Sequence, residues 1–280
     1  MAEKFIQRVD RVLKARDSLV CVGLDPDPKQ MPKPLRRLPA GRQLDHFLDG
    51  IVDATLPHAA AYKMQMAAYF RYGAEGFASL ERVARRIGAT RLRILDLKAN
   101  DIPNTMSLLR DGAFKSFGFD AVTVTPWIGW DSLQPFLDEP TRGVFVVAHS
   151  SNPGAPDFQE IPTPRGPLWL AVVGEARRLS HAHGNVGVVL GATFSDAFRA
   201  ARSLLGNGIP ILVPGVGAQG GSLSSAVRDG VDAHGRGLLV NASRSICYAS
   251  AGEDWKRAAG AEAGRLKVQI NQLRASLRTS

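Results

Sequence analysis

Asp96, Lys98 and Asp101 crowd into six residues of the stretch 91–105, RLRILDLKANDIPNT. The stretch opens as an apolar run that reads as a β-strand and closes on a Pro and a Thr. Strand side chains alternate faces, so Ile94, Asp96 and Lys98 share one face and Leu95 and Leu97 take the other. A carboxylate and an ammonium are thereby aimed the same way from a strand end, with Asp101 beyond them in the turn to a helix. Opposite charges held in one place are the raw material of acid–base and electrostatic catalysis. They equally make a strand-end ion pair that ties down a loop. Burying them is costly unless they pair.

Further charges fall at comparable places. Asp25 closes the run VGLD, and Lys63 interrupts the apolar AAYKMQ. Taken singly, Asp25 fits a turn or helix-cap acid and Lys63 a snorkelling lysine. Residues 214–221 read PGVGAQGG, and Ser243-Arg244 follows a later apolar run. Glycines let backbone approach an anion, a following helix N-terminus favours negative charge, and Arg forks onto phosphate oxygens. Ser150, Ser151 and Asn152 precede Pro-Gly and offer hydroxyls and amides for a polar ring, or simply a turn. The six histidines show no metal-ligand spacing, and no Ser-His-Asp set is evident.

These residues need a scaffold that brings strand ends together. Apolar runs at 19–25, 59–65, 92–98, 121–125, 143–149, 186–193, 210–215 and 237–242 read as strands. Helical patterns lie near 43–56, 70–88, 104–117, 130–138, 167–183, 195–205, 220–230 and 253–277. Eight strand–helix repeats predict an α/β fold, a (β/α)8 TIM barrel with an extra N-terminal helix, as one domain over 1–280. An open doubly wound sheet is the alternative. In a barrel the strand ends carrying Asp25, Lys63, Asp96 and Lys98 converge on one mouth, and the loops after strands seven and eight are a common phosphate site. Two Pro-rich loops, 26–42 and 152–167, follow strands one and five and so lie at that face. The second reads as a lid, the first as either decoration or a contact for substrate or partner.

Composition bounds the rest. Of 280 residues, 45% are hydrophobic and 22% charged, as in an ordinary globular protein. No apolar stretch approaches the roughly 18 residues of a membrane span, and the start, MAEKFIQRVDRVLKARDS, reads as an amphipathic helix rather than a signal peptide. The two cysteines build no disulfide framework, so the expected location is cytoplasmic. The net charge of +9 is spread over helices without interleaved aromatics. That predicts no nucleic-acid partner and favours capture of a small anion.

Placed together, these residues resemble orotidine 5′-phosphate decarboxylase along nearly the whole chain. The motif at 95–105, LDLKANDIPNT, looks like that family's signature; PGVGAQGG and SNPGA match its other recurring segments, and the extra loops look like its longer bacterial subclass. The resemblance implies conversion of orotidine 5′-monophosphate to UMP and carbon dioxide, the last step of de novo UMP synthesis, with no metal and no organic cofactor. It implies a homodimer in which Asp101 and Thr105 reach the partner's site. Lys98 matches the acid that protonates C6 of the pyrimidine, and Asp96 the carboxylate beside the departing group. Asp25 and Lys63 match residues that hold the ribose, with Lys63 also in the charged network. Ser151 matches the serine that recognises the pyrimidine, exchangeable with Ser150, and Gln219 and Arg244 match the phosphate clamp. Ser243 departs from the family, which often has Gly before that Arg. Magnesium-dependent sugar-phosphate decarboxylases and aldolases share the barrel and a similar motif, but not DIPNT, SNPG and GAQGG together. A non-catalytic nucleotide- or RNA-binding barrel is the third reading, carried by the basic charge.

Overall fold

The computed structural model describes residues 2–194, 197–216 and 222–277. Eight parallel strands close into a barrel: β1 Val20–Gly23, β2 Ala61–Gln65, β3 Leu92–Ala99, β4 Ala121–Val124, β5 Gly143–His149, β6 Val186–Leu190, β7 Ile211–Val213 and β8 Leu238–Ala242. Each pairs with its sequence neighbours, and β1 pairs with β8 to close the ring. The strands are Val-, Ile- and Leu-rich and almost wholly buried, because helices cover the outside and side chains fill the inside. The open-sheet alternative is thereby set aside.

The helices cover the barrel by one apolar stripe each. In helix Ala40–Thr55, Leu44, Phe47, Leu48, Ile51, Val52 and Thr55 are buried, the spacing of a single helical face. The N-terminal helix Phe5–Arg16 closes the barrel floor. Phe5 meets Phe145 edge to face at 5.9 Å, and Gly143 leaves room for it: a Cβ there would lie 2.2 Å from Phe5 Cε1.

Some expectations shift. Two helices, Met66–Phe70 and Gly73–Ile87, follow β2; the second is the one expected over 70–88 and the first was not expected. The first starts straight off β2 because Gln65 Oε1 accepts from Ala68 N at 3.2 Å, a side-chain cap. The second begins where Gly73 takes a φ of +60°, open to glycine at little cost. Loop 152–167 holds structure of its own, a short helix Pro156–Gln159 and a hairpin pairing Pro162–Thr163 with Gly166–Pro167. Loop 26–42 contains two 3-10 turns, Pro28–Gln30 and Lys33–Arg37.

Register matters at two places. The β3–β4 ladder shifts between Leu95 and Ala99, and the β5–β6 ladder shifts between Val147 and His149. Such irregularities re-aim side chains and favour functional edges. Here they fall where β3 delivers Lys98 and β5 delivers the Ser150-Ser151 pair.

Candidate active site

At the C-terminal ends of the strands, two connected chambers open. The larger, about 350 Å³, is lined by Asp25, Asp27, Gln30, Asn241, Arg244 and Tyr248, among others. The smaller, about 110 Å³, has apolar walls of Val147, Val189, Leu212 and Pro214, with Lys98 and Thr123 at one side. Lys63, Asp96, Ser151 and Pro214 line both. A charged partition thus separates a polar chamber from a drier one.

Asp96 is the centre of that partition. Lys63 Nζ donates to its Oδ2 at 2.8 Å, Lys98 Nζ to its Oδ1 at 2.5 Å, and Thr123 Oγ1 also to Oδ1 at 2.9 Å. Parallel pairing of β2 with β3 sets Lys63 beside Ile94 and Gln65 beside Asp96. Burial alone would raise the Asp96 pKa, but Lys63 and Lys98 outweigh it and hold the carboxyl well below the usual range. Burial likewise opposes the charge on Lys63, yet Asp25 and Asp96 raise its pKa above that of an ordinary lysine. Lys63 is therefore a buried, paired cation at the chamber walls, which removes the snorkelling reading. Lys98 differs: its side chain is 48% exposed against 5% for Lys63. It is the more accessible ammonium for a molecule in the cleft.

The face rule read from sequence needs one amendment. Lys98 takes a φ of +48°, a left-handed conformation uncommon for a residue with a side chain. At the register shift the strict alternation from Asp96 to Lys98 is broken, and the two meet through side-chain reach as well as strand geometry.

Asp25 sits at the end of β1. Its Oδ1 accepts from Gln65 N at 3.1 Å and its Oδ2 from Ser243 Oγ at 2.7 Å. Tyr248 Oη donates to Asp25 O at 3.2 Å and accepts from Asp27 N at 2.6 Å, which pins the start of loop 26–42 across the larger chamber. Asp27 and Gln30 are part of that wall, so this loop is more than decoration. Asn241 Oδ1 is buried at the same chamber with no hydrogen-bond partner among the described residues.

Ser150 Oγ donates to Asn152 Oδ1 at 2.6 Å, and Ser150 N to Gln159 Oε1 at 2.8 Å. Ser151 borders both chambers. His149, stacked on Phe194 at 4.1 Å, holds Glu160 Oε1 at 3.0 Å through Nε2 and so fastens loop 152–167 to the end of β5. Arg244, exposed, opens a four-residue helix at the mouth of the larger chamber, near Gly215 and Val216. Gln219 lies outside the described residues. Asp101 Oδ1 accepts from Ile102 N at 2.7 Å, and Thr105 lies in helix Pro103–Asp111, partly exposed.

Sequence reading thus finds the charged strand ends but misses Thr123, Asp27, Gln30, Asn241 and Tyr248. Thr123 looks like any strand threonine, and Tyr248 lies in a segment with no motif. Both cysteines are buried; burial pushes the Cys21 thiol up to about 12 and raises Cys247 as well, so neither is a ready thiolate.

Known proteins resemble this chain in sequence and fold. A family model described as "Orotidine 5'-phosphate decarboxylase / HUMPS family" matches residues 18–258. A Bordetella pertussis protein named orotidine 5′-phosphate decarboxylase is 40% identical over 274 residues, covering 96% of this chain and 99% of its own. One of that name from Thermomicrobium roseum is 39% identical over 272 residues, covering 96% of each chain. The solved structure of Leishmania donovani OMP decarboxylase superposes with a TM-score of 0.83 at 33% identity, over 98% of this chain and 99% of that one.

Proposed function

This chain belongs to the orotidine 5′-phosphate decarboxylase / HUMPS family, and we propose that its cleft converts orotidine 5′-monophosphate to UMP and carbon dioxide, with Lys98 as the proton donor. The observation that carries the reading is the Lys63–Asp96–Lys98 charge network, in which Lys63 and Asp96 line both the polar and the drier chamber and Lys98 lines the drier one.

The chemistry follows from the charges. Breaking the bond from C6 to the carboxylate releases neutral carbon dioxide and leaves the electron pair on C6. The Lys98 ammonium stabilises that developing charge, then transfers its proton to C6, giving UMP and a neutral amine that solvent reprotonates. Asp96 holds the Lys98 ammonium close, and its negative charge repels the substrate carboxylate until carbon dioxide departs. That repulsion is secondary to stabilisation of the carbanion. Both Asp96 oxygens already face ammonium groups, a setting that favours this charge network over a divalent cation at the same carboxylate.

The chambers suggest the substrate's pose. The pyrimidine fits the smaller one, with Ser151 at its polar edge. Ser150 is occupied by Asn152 and Gln159, which supports Ser151 for the base. Asp25 and Lys63 take the ribose hydroxyls, and Arg244 the phosphate, with Gln219 completing the clamp. Binding energy at the phosphate can then order the lid and the charged network.

Asp101 and Thr105 act across a homodimer in this reading. Asp101 spends one oxygen on its own turn, and the adjoining Ile102 and Leu108 are 57% and 69% exposed, an apolar rim suited to a second copy. The reaction is assigned to the cytoplasm. Among the described residues no helix is long and apolar enough to cross a membrane.

The test is to add orotidine 5′-monophosphate to purified, chelator-treated protein and follow its absorbance, identifying UMP and carbon dioxide. Conversion supports the reading. No conversion by a folded dimer sinks it, and activity restored by magnesium favours the metal-dependent barrel relatives.

A further inference from the structure

Thr123 lies in β4, 2% exposed, and faces the end of β3. Its hydroxyl makes two bonds of opposite sense at one oxygen. It accepts from Lys98 N at 2.9 Å and donates to Asp96 Oδ1 at 2.9 Å. The assignment is unambiguous, because an amide only donates and an ionised carboxylate only accepts.

The placement coincides with the irregularity of β3. The ladder to β4 shifts between Leu95 and Ala99, and inside that shift Lys98 holds a φ of +48°. A residue with a side chain keeps such a conformation only where its surroundings fix it. At this point a side chain of β4 receives the Lys98 amide, while the same oxygen steadies the carboxylate that receives the Lys98 ammonium at 2.5 Å. Backbone, counter-ion and hydroxyl form one closed unit.

We infer that Thr123 is a positioning residue for the proton donor: it fixes the left-handed Lys98 backbone and its partner Asp96 through one hydroxyl. The inference rests on the reading of Lys98 as that donor. Thr123 borders the smaller chamber, but its hydroxyl is spent on Lys98 N and Asp96 Oδ1, so it acts through the ammonium and sets where that stands when charge develops at C6. Binding of the ribose and phosphate uses other walls of the cleft, so its loss acts on turnover rather than affinity.

The test compares Thr123→Val, Thr123→Ser and Lys98→Ala, with orotidine 5′-monophosphate as substrate and thermal unfolding as the check on folding. Valine keeps the shape and removes both hydrogen bonds; serine keeps both. Each lost bond involves a charged or buried partner, so Thr123→Val should lower kcat by about 10- to 100-fold with KM within about threefold. Thr123→Ser should restore kcat to within about threefold of the parent. Thr123→Ala replaces valine if that variant does not fold. The inference is overturned if valine matches the parent, if serine is as impaired as valine, or if the loss appears in KM alone. An active Lys98→Ala would bring it down together with the functional reading; an inactive Lys98→Ala beside a fully active Thr123→Val would overturn it alone.

Discussion

Ser243 donates a 2.7 Å hydrogen bond to Asp25 Oδ2 across the β1–β8 seam, and its Oγ fills the space where a Cβ on Gly23 would stand. A Cβ at Gly23 would lie 1.7 Å from that oxygen. Ser243 is therefore built into the seam and orients the Asp25 carboxylate, which the proposed pose gives to the ribose.

This linkage predicts a coupled pair. Gly23→Ala alone should destabilise by about 1–3 kcal/mol through overpacking, and Ser243→Gly should remove much of that penalty in the double variant. A double-mutant cycle by urea unfolding should give a coupling of about 1 kcal/mol or more. Ser243→Gly alone should raise KM by up to about tenfold, the worth of one hydrogen bond to a charged group. Additive effects on stability would separate the two residues.

Asp96 predicts a pH signature. Its folded pKa lies below the unfolded value of about 3.9, so the stability it contributes is fully present above about pH 4 and is lost as pH falls through the folded value. Asp96→Asn leaves Lys63 buried without its closest anion and should cost about 3 kcal/mol at pH 7. Urea unfolding at several pH values should show the gap to the parent narrowing below about pH 4. Lys63 has the opposite sign: its raised pKa gives stability that is complete below about pH 10 and is lost as pH rises further. A gap that stays constant down to pH 3 would contradict the assignment for Asp96.

Asp120 predicts a loss of stability without loss of function. It is fully buried at the N-terminal edge of β4 and binds Arg8 at 3.0 Å, Arg93 at 2.9 Å and Arg142 at 3.1 Å. It stands at the opposite end of the barrel from the cleft, where residues serve stability. Asp120→Ala strips three arginines of a shared anion and should cost about 3–5 kcal/mol. Below its lowered Tm the variant should keep kcat and KM within about twofold, since surface and core changes remote from a site act through folding. A large loss of kcat in folded protein would show that the two ends communicate.

The eight strands were legible because parallel barrel strands, buried on both sides, leave unbroken apolar runs. The charged strand ends were legible because Asp96 and Lys63 violate that pattern. Tyr248 was not, because it reaches Asp25 and Asp27 over more than two hundred positions through a closure no local pattern encodes. Thr123 was not, because threonine is an ordinary strand residue and its role depends on a register shift in its neighbour. The short helix Met66–Phe70 was not, because five residues are too few to show a helical period and its start rests on the Gln65 cap.

The most direct measurement is single-turnover decarboxylation of orotidine 5′-monophosphate by Lys98→Ala, alongside the parent and with folding checked by circular dichroism. If Lys98 both stabilises the carbanion and supplies the proton, turnover should fall by about 10⁴-fold or more, with the fold unchanged. Turnover within tenfold of the parent, in a folded sample, would contradict the account.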